Sequence, residues 1–454
     1  MNRFMEISAK IGSQKHLVAV RDAFIALMPL TMAGSVAVLI NVFFRDIPTE
    51  LGNTGFVESM QWLIGINGNV WFATLAIMAM VFAFTLGYNV SRAYNVNPLA
   101  GGLVSFASLI ATVPQSATFF AGFEGVAPDQ LSKLTGLGVN AVVNEAAVGI
   151  EANSWGFINV NYLGSNGIFT ALIIGMLASI VYAKLMQRGL VIKLPDSVPP
   201  AVSRAFEAII PGIIVIYLVA TLSYLSVTFL GSPINDFILK YIQMPLLGLS
   251  QGFFSVLLMS FLVQLFWFFG LHGHNVLGPI MDGIYMPALL ENTNNYQMYH
   301  DISKLPYLWT RGSFDAYAQM GGSGVTIALI IAIFFLSKRE DHRAVAKLAA
   351  PMGIFNINEP ITFGMPIVLN PTFVIPWLIV PPICAGVAYA FTAAGIIPPV
   401  FVSVPWITPP GLYAYLATGG NILAGLVSLL NVGIAFAIWA PFVIMANKQK
   451  VVEE

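Results

Sequence analysis

Long apolar runs recur along this chain, at 22–44, 69–90, 97–113, 165–186, 206–230, 249–271, 323–337, 373–395 and 421–446. The hydrocarbon core of a bilayer is about 30 Å thick and takes about 20 helical residues to cross. Inside it every backbone amide must be satisfied within its own segment, so runs of this kind fold as α-helices. Two runs, 97–113 and 323–337, are short and are expected to tilt, break or borrow flanking residues, so about nine or ten crossings are expected. Composition agrees. Charged types are 9% of the 454 residues and apolar types 57%, where a soluble domain carries about 25% charged. Too few charges are present to cover a soluble surface, and a bilayer removes that requirement.

Several classes are excluded. The net charge is −1 with no long basic run, which gives no footing for nucleic acid. Cys384 is the sole cysteine, so an intramolecular disulfide is impossible, and it lies in an apolar stretch where it packs. No phosphate-binding GxxxxGK[ST] loop is present, no Arg-rich helix and no TVGYG-like filter. No metal or cofactor is expected. Residues Met1 to Lys15 are mixed, with Arg3, Glu6, Lys10 and Lys15, and no small-residue cleavage site ends the first apolar run. That run therefore reads as a retained first helix rather than a signal peptide, with an amphipathic lead-in helix at 3–17.

Positive charge gathers at Arg3, Lys10, Lys15 and Arg21; at Lys184, Arg188, Lys193 and Arg204; at Lys338, Arg339, Arg343 and Lys347; and at Lys448 and Lys450. The connection 114–163 carries Lys133 alone against Glu124, Asp129, Glu145 and Glu151. By the positive-inside rule both termini are cytoplasmic. Parity then requires something within 272–322 to carry the chain back across, yet no clean apolar run lies there. A broken or re-entrant segment is expected. The stretch 350–371 is too proline-rich for a lipid-facing helix and too apolar for a loop, so it reads as a re-entrant hairpin. Irregular backbone at that depth must be buried in protein or line a polar cavity. The long cytoplasmic connection 187–205 divides the chain into halves, 1–205 and 206–454, and the binding motifs all follow it.

Glu359 is the leading site candidate. It stands between Asn358 and Pro360, and a carboxylate at membrane depth is paired, hydrated or functional. Pro360 breaks the helix, and Asn356 and Asn358 add paired donors and acceptors that suit a polyhydroxylated ligand. The other reading is a carboxylate that caps a half-helix. His272 and His274 form the second cluster, in Phe269-Gly-Leu-His-Gly-His274, where imidazole can meet a sugar hydroxyl. They could instead offset a helix dipole or bind metal, though no third ligand with suitable spacing stands out. Asp282 and Glu291 are weaker candidates, either lining a cavity or lying at an interface. Trp406, in the helix-breaking stretch Val402 to Gly411, either stacks on a sugar ring or anchors the chain at the membrane interface.

Phe269-Gly-Leu-His-Gly-His, Asn358-Glu-Pro-Ile-Thr-Phe-Gly364 and the Pro-rich Trp406 region together resemble the IIC component of sugar phosphotransferase systems (PTS), in the lactose/cellobiose/diacetylchitobiose branch. The resemblance runs over essentially the whole chain. It implies an all-α integral membrane fold of the PTS IIC glucose-superfamily type, with about ten transmembrane helices and two re-entrant hairpins. It implies a homodimer through an N-terminal scaffold, residues 1–205 or as far as about 240, and a C-terminal transport domain that moves as an elevator. It further implies import of a disaccharide across the bacterial inner (cytoplasmic) membrane. The sugar is phosphorylated there by the phosphocysteine of a IIB protein, itself supplied through IIA and HPr. Matched by motif, Glu359 and His272 contact the sugar near its phosphoryl acceptor, with His274 two residues away as the alternative. Trp406 stacks on the ring, and Asn356 and Asn358 support. The chain runs eight residues past Ala446, so IIA and IIB are expected as separate chains. The competing reading is an ion-coupled secondary sugar transporter, which broken helices also fit.

Overall fold

The computed structural model describes residues 13–123, 133, 135, 141–144, 147–195, 197–365 and 367–448. Most of the expected lead-in helix, with Glu124, Asp129, Glu145 and Lys450, lies outside the described residues. The chain is mostly helical. Helices α1 (Lys15–Ala26) and α2 (Met28–Asn41) continue through a π-helical turn, Val42–Asp46, to Glu50 as one 36-residue run. Then come α3 (Gln61–Thr74), α4 (Met78–Ala93), the short α5 (Pro98–Ile110), α6 (Ile168–Gln187) and α7 (Ile209–Leu230). Asn97 starts α5 by accepting the Ala100 N–H, and Pro98 fills the first turn, where a missing N–H is harmless. Helices α4 and α5 approach through small residues. A Cβ added at Gly87 would lie 2.5 Å from the Gly101 carbonyl oxygen, so only glycine allows that contact.

The connection between α5 and α6 holds an element that the apolar runs do not signal. Strands β1 (Ser116–Gly122), β2 (Ala141–Asn144) and β3 (Ala147–Trp155) form an antiparallel sheet in the order β1-β3-β2, with Ser116 opposite Trp155.

In the second half the expected span 249–271 begins at a sharp bend. The helical run Ile234–Ser250, which ends in α8 (Met244–Ser250), meets α9 (Phe253–Phe268) at Gln251-Gly252, and the two arms differ by 78°. The larger difference concerns 272–322. Here the chain forms a continuous 27-residue helix, α10 (Gly273–Tyr299), rather than a broken segment. At 1.5 Å per residue it spans about 40 Å. It is too polar to face lipid, and thirteen of its residues are buried in protein. Neighbouring helices supply what lipid cannot, and so Pro279 and Pro287 are tolerated inside it. The irregular backbone lies on either side. Gly270 has φ +80° before α10. After it, beyond α11 (Arg311–Tyr317), Gly321, Gly322 and Gly324 take φ of +78°, +91° and +79°.

The remaining elements are α12 (Thr326–Leu336), α13 (Glu340–Ile354), α14 (Glu359–Gly364), α15 (Val374–Ala393), α16 (Leu412–Ala417) and α17 (Ile422–Ala446). The stretch 350–371 is not a spanning helix. It turns at Asn356, with φ +62°, between α13 and α14. Among the described residues six helical runs are long and apolar enough to cross a bilayer, seven if the bent pair is one span, while Pro98–Ile110 and Ser323–Leu336 are apolar but shorter. Buried tryptophans lock the second half together. Trp377 donates through Nε1 to the Gln264 carbonyl (3.0 Å), and Trp439 to that of Gly324 (3.1 Å).

Candidate functional site

The breaks in the second half converge on one cavity of about 620 Å³, within the range of about 300–1,000 Å³ usual for small-molecule sites. Glu359, His272, His274, Asn356, Asn358 and Trp406 all line it. Five segments far apart in sequence supply most of the wall. They are α1, the start of α10, the α11 region, the turn before α14 and the loop around Trp406.

His272 is the N-cap of α10. Its Nδ1 accepts the backbone N–H of Asn275 at 3.3 Å, which fixes the tautomer of the neutral ring with its proton on Nε2. Nε2 then faces Glu359, 3.9 Å from Oε1. That gap is too long for a direct hydrogen bond. A hydroxyl oxygen seated beside both atoms at about 2.8 Å would donate to the carboxylate and accept from the imidazole. Both side chains are open to the cavity, at 39% and 48% exposure. The Trp267 indole packs on the His272 ring at a centroid distance of 4.4 Å and holds its orientation.

His274 is placed differently. Its Nδ1 lies 3.5 Å from the Ser323 hydroxyl, and its Nε2 is buried without a well-formed hydrogen bond, beside the Gln319 side chain. No group of three or more His, Cys, Asp or Glu able to hold a metal ion gathers among the described residues.

The two asparagines are engaged by protein. Asn356 Oδ1 accepts the Gly321 N–H at 2.7 Å, and its Nδ2 donates to the carbonyls of Trp406 (2.6 Å) and Thr408 (2.8 Å). One amide thus joins the turn before α14, the glycine turn before α12 and the tryptophan loop. Asn358 Nδ2 donates to Thr362 Oγ1 at 3.1 Å and lies 3.4 Å from the Ser323 carbonyl. Trp406 is 46% exposed and lines the cavity.

Further polar groups line the cavity beyond those nominated by sequence. Arg311 donates from Nε to Asp282 Oδ1 (3.0 Å) and from Nη1 to Asp315 Oδ2 (2.9 Å), with the buried Tyr413 hydroxyl against Asp315. Arg311 and Asp315 are an i,i+4 pair, a pattern visible in the sequence. Asp282, a weaker sequence candidate, belongs to this network. Glu291 does not line the cavity. It accepts from Ser165 and from Asn295 (3.1 Å) and so ties α10 to the start of α6. Arg21, read from sequence only as an orientation signal, faces the cavity from α1. A charge near a helix end says nothing of the face it occupies, so no sequence signal marked it.

Comparison with known proteins bears on what this cavity holds. The family described as "Phosphotransferase system, EIIC" matches residues 21–381. The cellobiose-specific EIIC component of Lactococcus lactis subsp. lactis (strain IL1403) is 42% identical, over 97% of this chain and 96% of that protein. The oligo-beta-mannoside-specific EIIC component of Bacillus subtilis (strain 168) is 32% identical, over 99% and 93%. The crystal structure of the transporter ChbC, the IIC component from the N,N'-diacetylchitobiose-specific phosphotransferase system, matches with a TM-score of 0.86 at 30% identity, covering 98% of this chain and 96% of that one.

Proposed function

This chain belongs to the phosphotransferase-system EIIC family of membrane sugar permeases, and we propose that its cargo is a β-linked disaccharide of the cellobiose or diacetylchitobiose type. The observation that carries this reading is the 3.9 Å gap between His272 Nε2 and Glu359 Oε1, opening beside the exposed ring of Trp406. A donor and an acceptor that share one hydroxyl, next to an aromatic platform, suit a pyranose. Glu359 and His272 hold the acceptor hydroxyl for transfer from the phosphocysteine of a IIB protein, and Trp406 stacks on the ring. Phosphoryl transfer depends mainly on positioning and charge, which such a site supplies. Asn356 and Asn358 act through the frame they hold. This departs from the direct support expected of them, because their amides are already bonded to protein.

The halves divide the work. Residues up to about 240 form the scaffold and the homodimer contact, and the rest carries the sugar as an elevator. Two facts support this. The polar wall of the cavity comes chiefly from 272–413, and the run Pro200–Leu230 is only 17% buried, which leaves an apolar flank for lipid and a second subunit. Both termini face the cytoplasm of a bacterium, on the side where Lys184, Arg188, Lys338 and Arg343 gather and where IIB, charged through IIA and HPr, would dock. The alternative of an ion-coupled transporter finds no support in the family match or the relatives.

The test is a binding screen of purified protein against cellobiose, diacetylchitobiose, lactose and gentiobiose, followed by uptake into vesicles. Uptake should require phosphorylated IIB and yield only sugar phosphate inside. Accumulation of unmodified sugar driven by a sodium or proton gradient would overturn the proposal.

A further inference from the structure

The charged lining of the cavity is unbalanced. Among the described residues it consists of Arg21 and Arg311 against Asp282, Asp315 and Glu359. Arg311 is committed, with Nε and Nη1 directed at its two aspartates. Three carboxylates around a neutral sugar do no harm. A phosphoryl group arriving there is another matter, because it brings about two negative charges. Without Arg21 its surroundings would be strongly anionic.

Arg21 is placed to meet it. Its stem lies along α10 at Gly278, where an added Cβ would stand 3.4 Å from Arg21 Cγ and 3.8 Å from Asp282 Oδ2. The arginine stem therefore packs at contact distance on the wall at Gly278. Asp22 then fixes its head, since Arg21 Nε and Nη2 both donate to Asp22 Oδ1, at 3.0 and 2.8 Å. Gly278 lies six residues along α10 from His272, about 9 Å by helical rise. Arg21 lies six residues inside the start of α1, the same distance in from Lys15.

We propose that Arg21 is the phosphate-holding residue of this site, the cation that receives the phosphoryl group as it reaches the sugar. The proposal rests on the permease reading above. In the transfer, the sugar hydroxyl oxygen forms the new bond to phosphorus. The sulfur–phosphorus bond of the donor cysteine breaks and its electron pair stays on sulfur. The hydroxyl proton passes to the Glu359 carboxylate. Arg21 forms no bond in this step. Asp22 takes the Nε and Nη2 edge of its guanidinium, and Nη1 is the group left to donate to a non-bridging phosphoryl oxygen. Because Arg21 belongs to the first half and the sugar site to the second, the site is complete for phosphate only where the two halves meet.

Two measurements test this on the full chain. In membranes with phosphorylated IIB and cellobiose, Arg21→Gln should slow phosphorylation at least about tenfold, given the larger factors arginines contribute to phosphoryl transfer. Cellobiose affinity should change less than threefold, and Arg21→Lys should recover part of the rate. A wild-type rate in Arg21→Gln, or a fall in affinity equal to the fall in rate, would overturn the proposal. The second measurement needs no partner. Purified wild-type chain should bind phosphorylated cellobiose at least tenfold more tightly than Arg21→Gln does, with the difference shrinking as salt rises. Equal binding refutes the site. A wild-type chain that binds phosphorylated cellobiose through Arg21, yet accepts nothing from phosphorylated IIB, would support the anion site and sink the permease reading instead.

Discussion

Replacing Asn356 by alanine should disable the sugar site without touching a sugar contact. The side chain makes three hydrogen bonds of 2.6–2.8 Å, to Gly321 N, Trp406 O and Thr408 O. Each is worth about 1 kcal/mol net, and more where the abandoned partner stays buried. Asn356 also holds φ +62°, a left-handed conformation that asparagine tolerates and alanine adopts at a cost of about 1–2 kcal/mol. The sum is about 4–5 kcal/mol, concentrated where three segments meet. The turn before α14 carries Glu359, and the loop carries Trp406, so both lose their fixed positions. Calorimetric titration of purified protein with its disaccharide should show affinity down at least tenfold, which is about 1.4 kcal/mol. Asn356→Gly separates the terms. It restores the backbone freedom and not the hydrogen bonds, so it should recover only about 1–2 kcal/mol of the loss. If Asn356→Ala and Asn356→Gly both bind sugar and resist heat as the wild type does, the amide is not what assembles the site, and the reasoning fails.

Other outcomes follow from the same geometry. Glu359→Gln and His272→Ala should each weaken disaccharide binding by about 1–3 kcal/mol, read by titration, because each removes one side of the hydroxyl slot. His274→Ala should cost less binding energy than His272→Ala, since its ring faces Ser323 and Gln319 rather than Glu359. Trp406→Ala should weaken binding by about 1 kcal/mol and Trp406→Phe by less, in a competition assay with the same sugar. Ser165 and Asn294 touch across the two halves, with Nδ2 to Oγ at 3.1 Å. Cysteines at both positions, oxidised to a disulfide, should stop vesicle uptake, and reductant should restore it. The native Cys384 is buried and leaves the experiment clean. Full transport by the crosslinked protein would contradict the elevator motion.

Much of this protein was legible before any coordinates. Apolar runs of bilayer length require helices, because no other open-chain backbone satisfies itself in hydrocarbon. Parity, together with the clustered positive charges, called for a further crossing between 272 and 322, and a 27-residue helix, α10, lies there. Prolines and asparagines marked 350–371 as irregular, and Glu359, His272 and Trp406 stood out as polar or aromatic groups in helix-breaking contexts. What sequence could not decide is which face each side chain takes. Asn356 looked like a ligand contact, and the fold turned its amide inward to three backbone groups. Arg21 looked like a topology signal, and packing on Gly278 put it on the cavity wall. Helix α10 looked too polar to be continuous, and burial among other helices removed the objection. Local chemistry fixes where a chain can be helical and where it must break. The partners that decide whether a polar group serves the frame or the ligand arrive from hundreds of residues away, and only packing brings them together.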